Sequence, residues 1–185
     1  MRKILIIAGD LASGKSTLAR QLSNYFKIPF YTKEHFKEIL GDEIPYAERE
    51  LNKKLSVSAI KLLIHILERT IECDGDVILE ANFKNEDLQK IKDECDLRKR
   101  EVLLIYLKGD VDVLFERFMH RTYYQNRHPV HLTHPLSNID DFERYVMEYR
   151  SVHSVIPRHE LDVTNANYQI IFAKALEIIK SQGGL

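Results

Sequence analysis

The stretch GDLASGKS, residues 9–16, constrains this chain more than any other. It fits the spacing G-x-x-x-x-G-K-[ST], and its flanks supply the context that spacing requires. The apolar run at 4–8 reads as a strand entering it, and Leu18, Leu22 and Tyr25 mark one face of a helix leaving it. Gly9 and Gly14 permit backbone conformations that turn successive N–H groups inward, forming an anion nest. The helix beginning near Lys15 aims its positive end at the same point. Gly9, Asp10, Leu11, Ala12, Ser13, Gly14, Lys15, Ser16 and Thr17 therefore read as a cradle for the phosphates of ATP. Lys15 is placed to reach the β- and γ-phosphates, and the Ser16 hydroxyl to ligate Mg²⁺. Thr17 supports the first helical turn. The competing reading, a glycine turn with an accidental lysine, does not account for the strand-to-helix context.

The rest of the chain supplies a matching alternation. Residues 3–8, 29–32, 77–80, 102–107 and 160–163 read as strands, and the first, third and fourth are nearly continuous in Ile, Leu and Val. Such runs suit strands covered on both faces. Leu51, Leu55, Leu62, Ile66 and Ile71 mark a long helix, and residues 111–121, 139–152 and 168–180 read as helical too. An α/β class follows, with a parallel sheet wrapped by helices through right-handed crossovers. At 185 residues and 44% hydrophobic, the chain is expected to form one domain over 1–185. Lys and Arg total 27 against 28 for Asp and Glu, so no global field recruits nucleic acid or a membrane. The apolar run at 4–8 is too short for a signal or membrane span. Cys73 and Cys95 have no metal or redox spacing and read as reduced thiols, which implies a cytoplasmic protein.

One segment breaks the alternation. Residues 121–138, RTYYQNRHPVHLTHPLSN, carry two prolines, no helical apolar stripe and a concentration of Arg, His and Tyr. A long polar connection of this kind reads as a lid or binding loop.

Four places in the chain resemble the P-loop kinases of small molecules and nucleic-acid ends. That group includes gluconate kinase, chloramphenicol phosphotransferase, zeta-toxin-like kinases and the kinase domain of polynucleotide kinase. The places are GDLASGKST, YTKEHFKEIL after the second strand, VILEANF on the third, and ERFMHR together with NRHPVH. The resemblance implies a three-layer α/β P-loop domain with its five strands in the order 2-3-1-4-5. It implies acceptor contacts from about 32–75 and a lid over about 117–137. It puts Glu34 where the family usually has the Asp that accepts the acceptor hydroxyl's proton, and Lys37 where it usually has Arg. Ala12 stands where many such loops have another Gly. Glu80 ends the third strand and could hold the Mg²⁺ shell through water, but there is no unambiguous Walker-B aspartate. Arg121 and Arg127 fall on the lid, where fixed guanidiniums stabilise the charge that spreads over a moving phosphoryl group. His128 and His131 fall in a motif that would touch substrate or lid backbone. Thr164 and Asn165 fall where similar kinases border adenine.

Several residues keep two readings. Arg117 lies one helical turn from Arg121 and either stacks on adenine or is an ordinary surface arginine. Asn82 either meets the acceptor or caps the helix starting near Asn85. A helix cap at Asn165 or Asn167 competes with the adenine border. His128, His131 and His134 repeat every three residues, but a zinc site lacks a fourth ligand. Arg98, Lys99 and Arg100 read as a solvated run. The expected activity is ATP-dependent, Mg²⁺-assisted phosphoryl transfer to a small-molecule hydroxyl, by a monomer or homodimer. A nucleotide or nucleic-acid 5′ end is the alternative acceptor. From another class, a nucleotide-dependent switch would bind ATP and transfer nothing.

Overall fold

The computed structural model describes residues 3–124, 127–132, 136–165 and 167–183. Five strands form one parallel sheet: β1 (Lys3–Gly9), β2 (Phe30–Thr32), β3 (Val77–Glu80), β4 (Glu101–Lys108) and β5 (Arg158–Asp162). Their order is β2-β3-β1-β4-β5, the order the family resemblance implies. The central strand β1 is buried along its whole length, as its unbroken apolar run requires.

The period of two along β1 divides the core. Leu5 and Ile7 face α1 (Lys15–Phe26), α5 (Val111–Tyr124), α6 (Ile139–Arg150) and α7 (Tyr168–Ser181), meeting Leu22, Leu114, Phe142 and Ile171 among others. Ile4 and Ile6 face α3 (Arg49–Glu72) and α4 (Asn85–Leu97), meeting Leu63, Leu67 and Ile91. The result is a helix–sheet–helix sandwich, with α2 (Lys33–Glu43) running on directly from β2.

Local chemistry sets several helix starts. Thr32 caps α2 by accepting from His35 N–H at 3.1 Å, and Asn138 and Asn167 cap α6 and α7 in the same way. The cap reading at 165–167 therefore resolves in favour of Asn167.

Three expectations need correction. The buried stripe of α3 runs through Leu55, Leu63, Leu67 and Ile71, whereas Leu62 is exposed. The two stripes share Leu55 and Ile71, and Leu62 and Leu63 are adjacent, so periodicity alone does not choose between them. The segment expected to break at 121 stays helical to Tyr124. Arg100 is buried rather than solvated: its guanidinium bonds Asp76 at 2.9 Å and the Gly75 carbonyl, fixing the turn before β3.

Candidate active site

Parallel strands bring their carboxyl ends to one edge of the sheet, and the sequence-predicted residues converge there. β1 ends at Gly9, β3 at Glu80, and β2 hands over to Lys33 and Glu34 at the start of α2.

The loop from Gly9 to Gly14 has the backbone its glycines were expected to supply. Gly9 has φ of 144° and passes so close to β4 that a Cβ would lie 2.3 Å from the Leu107 carbonyl oxygen. Gly14, with φ of 86°, is the cap residue of α1. Ala12 takes the left-handed conformation, φ 56°, which explains why glycine is common at this place in related loops. No side chain caps α1, so its first-turn N–H groups face the nest. The Lys15 ammonium rests on two loop carbonyls, 3.1 Å from Gly9 O and 2.7 Å from Asp10 O. Burial lowers its pKa, against the raising effects of Glu80 and Glu34.

Ser16 and Glu80 meet where α1 begins and β3 ends. The Ser16 hydroxyl donates to Glu80 Oε2 at 2.9 Å, and Glu80 is buried. Burial raises the Glu80 pKa, and Lys15 and Ser16 only partly offset it. A desolvated carboxylate paired with a hydroxyl suits a hard cation that takes oxygen ligands.

Beside the loop opens a cleft of about 640 Å³, floored by Ala12, Gly14 and Thr17. Arg117, His120 and Arg121 form one wall and Tyr168 the other. The volume falls within the usual range for a small-ligand or cofactor pocket. Arg117 lines the cleft and is held by its terminal nitrogens. It donates to the carbonyls of Val163 (2.9 Å) and Thr164 (2.7 Å), bracing the turn between β5 and α7. Thr164 Oγ1 is also engaged, donating to Asp162 at 2.6 Å and accepting from Asp110 N–H at 2.9 Å. The aromatic surfaces that reach the cleft are His120 and Tyr168, neither singled out by the sequence. Tyr168 follows the cap residue Asn167, and its ring lies so close to Gly14 that a Cβ there would sit 2.7 Å from it.

A second cluster of charged side chains gathers around Glu34 at the start of α2. Glu34 Oε1 lies 3.6 Å from Lys33 Nζ, and Glu34 Oε2 lies 2.8 Å from His131 Nδ1. Burial alone would raise the Glu34 pKa, but the His131 hydrogen bond and the charges of Lys33 and Lys37 hold it well below the usual carboxylate range. Lys37 is buried, which lowers its pKa against the pull of Glu34. Arg127 packs over the Phe118 ring at 5.5 Å, and burial followed by the Arg121 charge lowers its pKa. Arg121 Nε is buried and has no hydrogen-bond partner among the described residues. Tyr145 on α6 lies in the field of Glu34.

Other assignments shift. Asn82 does not cap α4, whose cap position is Lys84; its Oδ1 accepts from Gly9 N–H at 3.2 Å. His128 and His131 bond carboxylates of α2 rather than lid backbone alone. His134 lies outside the described residues, and among the described residues no cluster of His, Cys, Asp and Glu could hold a metal.

Asp10 belongs to the loop but not, by its side chain, to the phosphate nest. Its buried carboxylate accepts from Tyr106 Oη (3.1 Å), Gly109 N–H (3.0 Å) and Arg150, whose Nη2 lies at 2.6 Å. Arg150 is 140 residues away and gave no signal in the sequence.

No protein-family model matches the chain, and no curated protein sequence matches it. Solved structures do match. A candidate kinase from Chloroflexus aurantiacus superposes with a TM-score of 0.76 at 23% identity, over 95% of this chain and 97% of that one. Shikimate kinase from Aquifex aeolicus gives 0.60 at 20%, over 98% and 99%. A gluconokinase from Sinorhizobium meliloti gives 0.58 at 16%, over 99% of each chain. The fold is that of the P-loop kinases. In this chain the Gly9–Gly14 loop, Glu80 and Glu34 all follow the carboxyl ends of neighbouring strands.

Proposed function

We propose that the chain is an ATP-dependent kinase that transfers the γ-phosphoryl group to a hydroxyl of a small molecule. The observation that carries this reading is the meeting, at one sheet edge, of the Lys15 ammonium, the Ser16–Glu80 pair and the Glu34 carboxylate. The hydroxyl oxygen attacks the γ-phosphorus, the bond to the β–γ bridging oxygen breaks with its electron pair leaving on ADP, and the hydroxyl proton is released to solvent as the phosphate ester forms. Lys15 and the first turn of α1 bind the phosphates, with the base in the cleft between His120 and Tyr168. Ser16 and Glu80 would hold Mg²⁺, which neutralises charge on the β- and γ-phosphates when bound. Arg121 and Arg127 stabilise the charge on the moving group, which matches the unmet Nε of Arg121. Glu34 accepts a hydrogen bond from the acceptor hydroxyl and orients its lone pair toward phosphorus. Its depressed pKa makes it a better positioner than base, and positioning is what a loose phosphoryl transition state needs.

Residues 1–185 are proposed to act as one unit, with 32–75 contributing acceptor contacts and 117–137 the lid. Positions 125, 126 and 133–135 of that lid lie outside the described residues. Both cysteines are free thiols, which supports a reducing, cytoplasmic setting. Among the described residues no helix is long and apolar enough to cross a membrane. The test is Lys15→Ala, assayed for MgATP affinity and for release of labelled γ-phosphate to acceptors and to water. Loss of turnover with an unchanged melting curve is expected. Turnover equal to the wild type would overturn the assignment.

A further inference from the structure

The segment 127–132 is seated on α2 by contacts that the transfer reaction does not by itself explain. Val130 is buried in a notch at Gly41, where a Cβ would approach Val130 Cγ2 to 2.9 Å. The buried Asn52 donates to the Val130 carbonyl at 2.9 Å. His128 Nδ1 accepts from Val130 N–H at 3.1 Å, which leaves its Nε2 to donate to Asp42 at 2.9 Å.

His131 is bound differently. Its Nδ1 is 2.8 Å from Glu34 Oε2 and its Nε2 is 2.8 Å from Glu38 Oε1, with the side chain only 5% exposed. Ionised carboxylates only accept, so both contacts are hydrogen bonds only when both ring nitrogens carry protons. Glu34 and Glu38 are four residues apart on one face of α2, so one imidazolium can straddle them.

We propose that His131, clamped as an imidazolium between Glu34 and Glu38, is a positioning residue that fixes the Glu34 carboxylate for the acceptor hydroxyl. This rests on the phosphoryl-transfer reading of the site. One oxygen of Glu34 is committed to His131, and the other is left toward Lys33 and the acceptor space. The longer reach of Glu at 34, compared with the Asp usual in similar kinases, lets one carboxylate serve both. Titratable and charged groups face the pair from several elements: Lys33, His35, Lys37 and Asp42 on α2, Lys15 on α1, Glu80 at the end of β3, Arg127 and His128 on the segment itself, and the neutral phenol of Tyr145 on α6. Seating of 127–132 and placement of Glu34 are therefore one event: if the segment lifts, the carboxylate loses its anchor.

Two measurements on the full chain test this. The first is the low-field proton spectrum of ¹⁵N-histidine-labelled protein. Two ring N–H signals of His131, protected from exchange, are expected; Glu34→Gln should shift or remove the Nδ1–H signal and Glu38→Gln the Nε2–H signal. The second uses MgATP with water as the surrogate acceptor. His131→Phe removes both donors and is expected to lower kcat by about 10²-fold, the scale of a misplaced reacting group. His131→Gln, which restores one donor, should fall between it and the wild type, and KM for MgATP should not move in either. Lys15→Ala separates the two claims. If it abolishes turnover while both His131 variants retain full kcat, the positioning role fails alone. If Lys15→Ala turns over normally, the transfer reading fails and the positioning role with it. Absence of the two protected ring protons in the wild type also overturns the clamp.

Discussion

Arg150→Met should be the costliest single change at the phosphate loop that touches no ligand. Arg150 places Nε 3.1 and 3.2 Å from the two oxygens of Asp10 and Nη2 at 2.6 Å, and it also bonds the Gly109 carbonyl. The Asp10 side chain is fully buried, and Arg150 is 17% exposed. Methionine keeps much of the length and removes the charge, so Asp10 would be left as an uncompensated buried anion. Removing one partner of such a pair costs about 3–5 kcal/mol. Asp10 keeps the donors of Tyr106 and Gly109, which places the loss at the lower end, about 3 kcal/mol. In a chain of this length that corresponds to about 6–12 °C in Tm. The Asp10 carbonyl also holds Lys15 Nζ and the Ser13 hydroxyl, each at 2.7 Å, so nucleotide affinity should fall with stability. Urea denaturation of Arg150→Met, Asp10→Asn and the double variant supplies the cycle, and the double should cost less than the sum of the singles. A single Arg150→Met variant within about 0.5 kcal/mol of wild type, the scale of an ordinary surface change, would refute the reasoning.

Two further outcomes are expected. Glu34→Gln keeps the shape of the side chain but weakens both its acceptor strength and its hold on His131. Acceptor-dependent transfer should fall about 10²-fold, the scale of a misplaced reacting group, with MgATP affinity little changed, and retained transfer would shift the carboxylate role to Glu80. Burial pushes the Cys95 thiol up to about 12, whereas Cys73 is exposed. Titration with a thiol reagent at pH 8 should therefore modify Cys73 quickly and Cys95 only on unfolding, and two fast thiols would contradict the packing beneath α4.

What the sequence made legible was local. The phosphate loop could be read because its function demands particular residues at fixed spacing beside a strand and a helix. β1, β3 and β4 could be read because strands buried on both faces leave unbroken apolar runs. Strand order came from family resemblance, since period alone does not say which strand neighbours which. The failures share one cause: pairings across the chain leave no local trace. Asp10 looked like a loop residue and is a buried anchor for Arg150. Arg117 kept two local readings, and neither foresaw that it braces the carbonyls of Val163 and Thr164. His131 looked like a substrate contact and proves to sit between two carboxylates, which lie 93 and 97 residues before it. Arg100 looked solvated because its neighbours are, while its own side chain turns under the Gly75–Asp76 turn.

The central claim is that the γ-phosphoryl group moves to a hydroxyl rather than to water. The direct measurement follows γ-labelled ATP with Mg²⁺ across panels of sugars, nucleosides, hydroxylated antibiotics and oligonucleotide 5′ ends, with products separated and the label located by mass spectrometry. The account predicts a small molecule that speeds ADP formation and carries the label on a hydroxyl oxygen, with the signal lost in Lys15→Ala. Tight MgATP binding with label appearing only as free phosphate, at a rate no acceptor changes, would contradict it and point to a nucleotide-dependent switch.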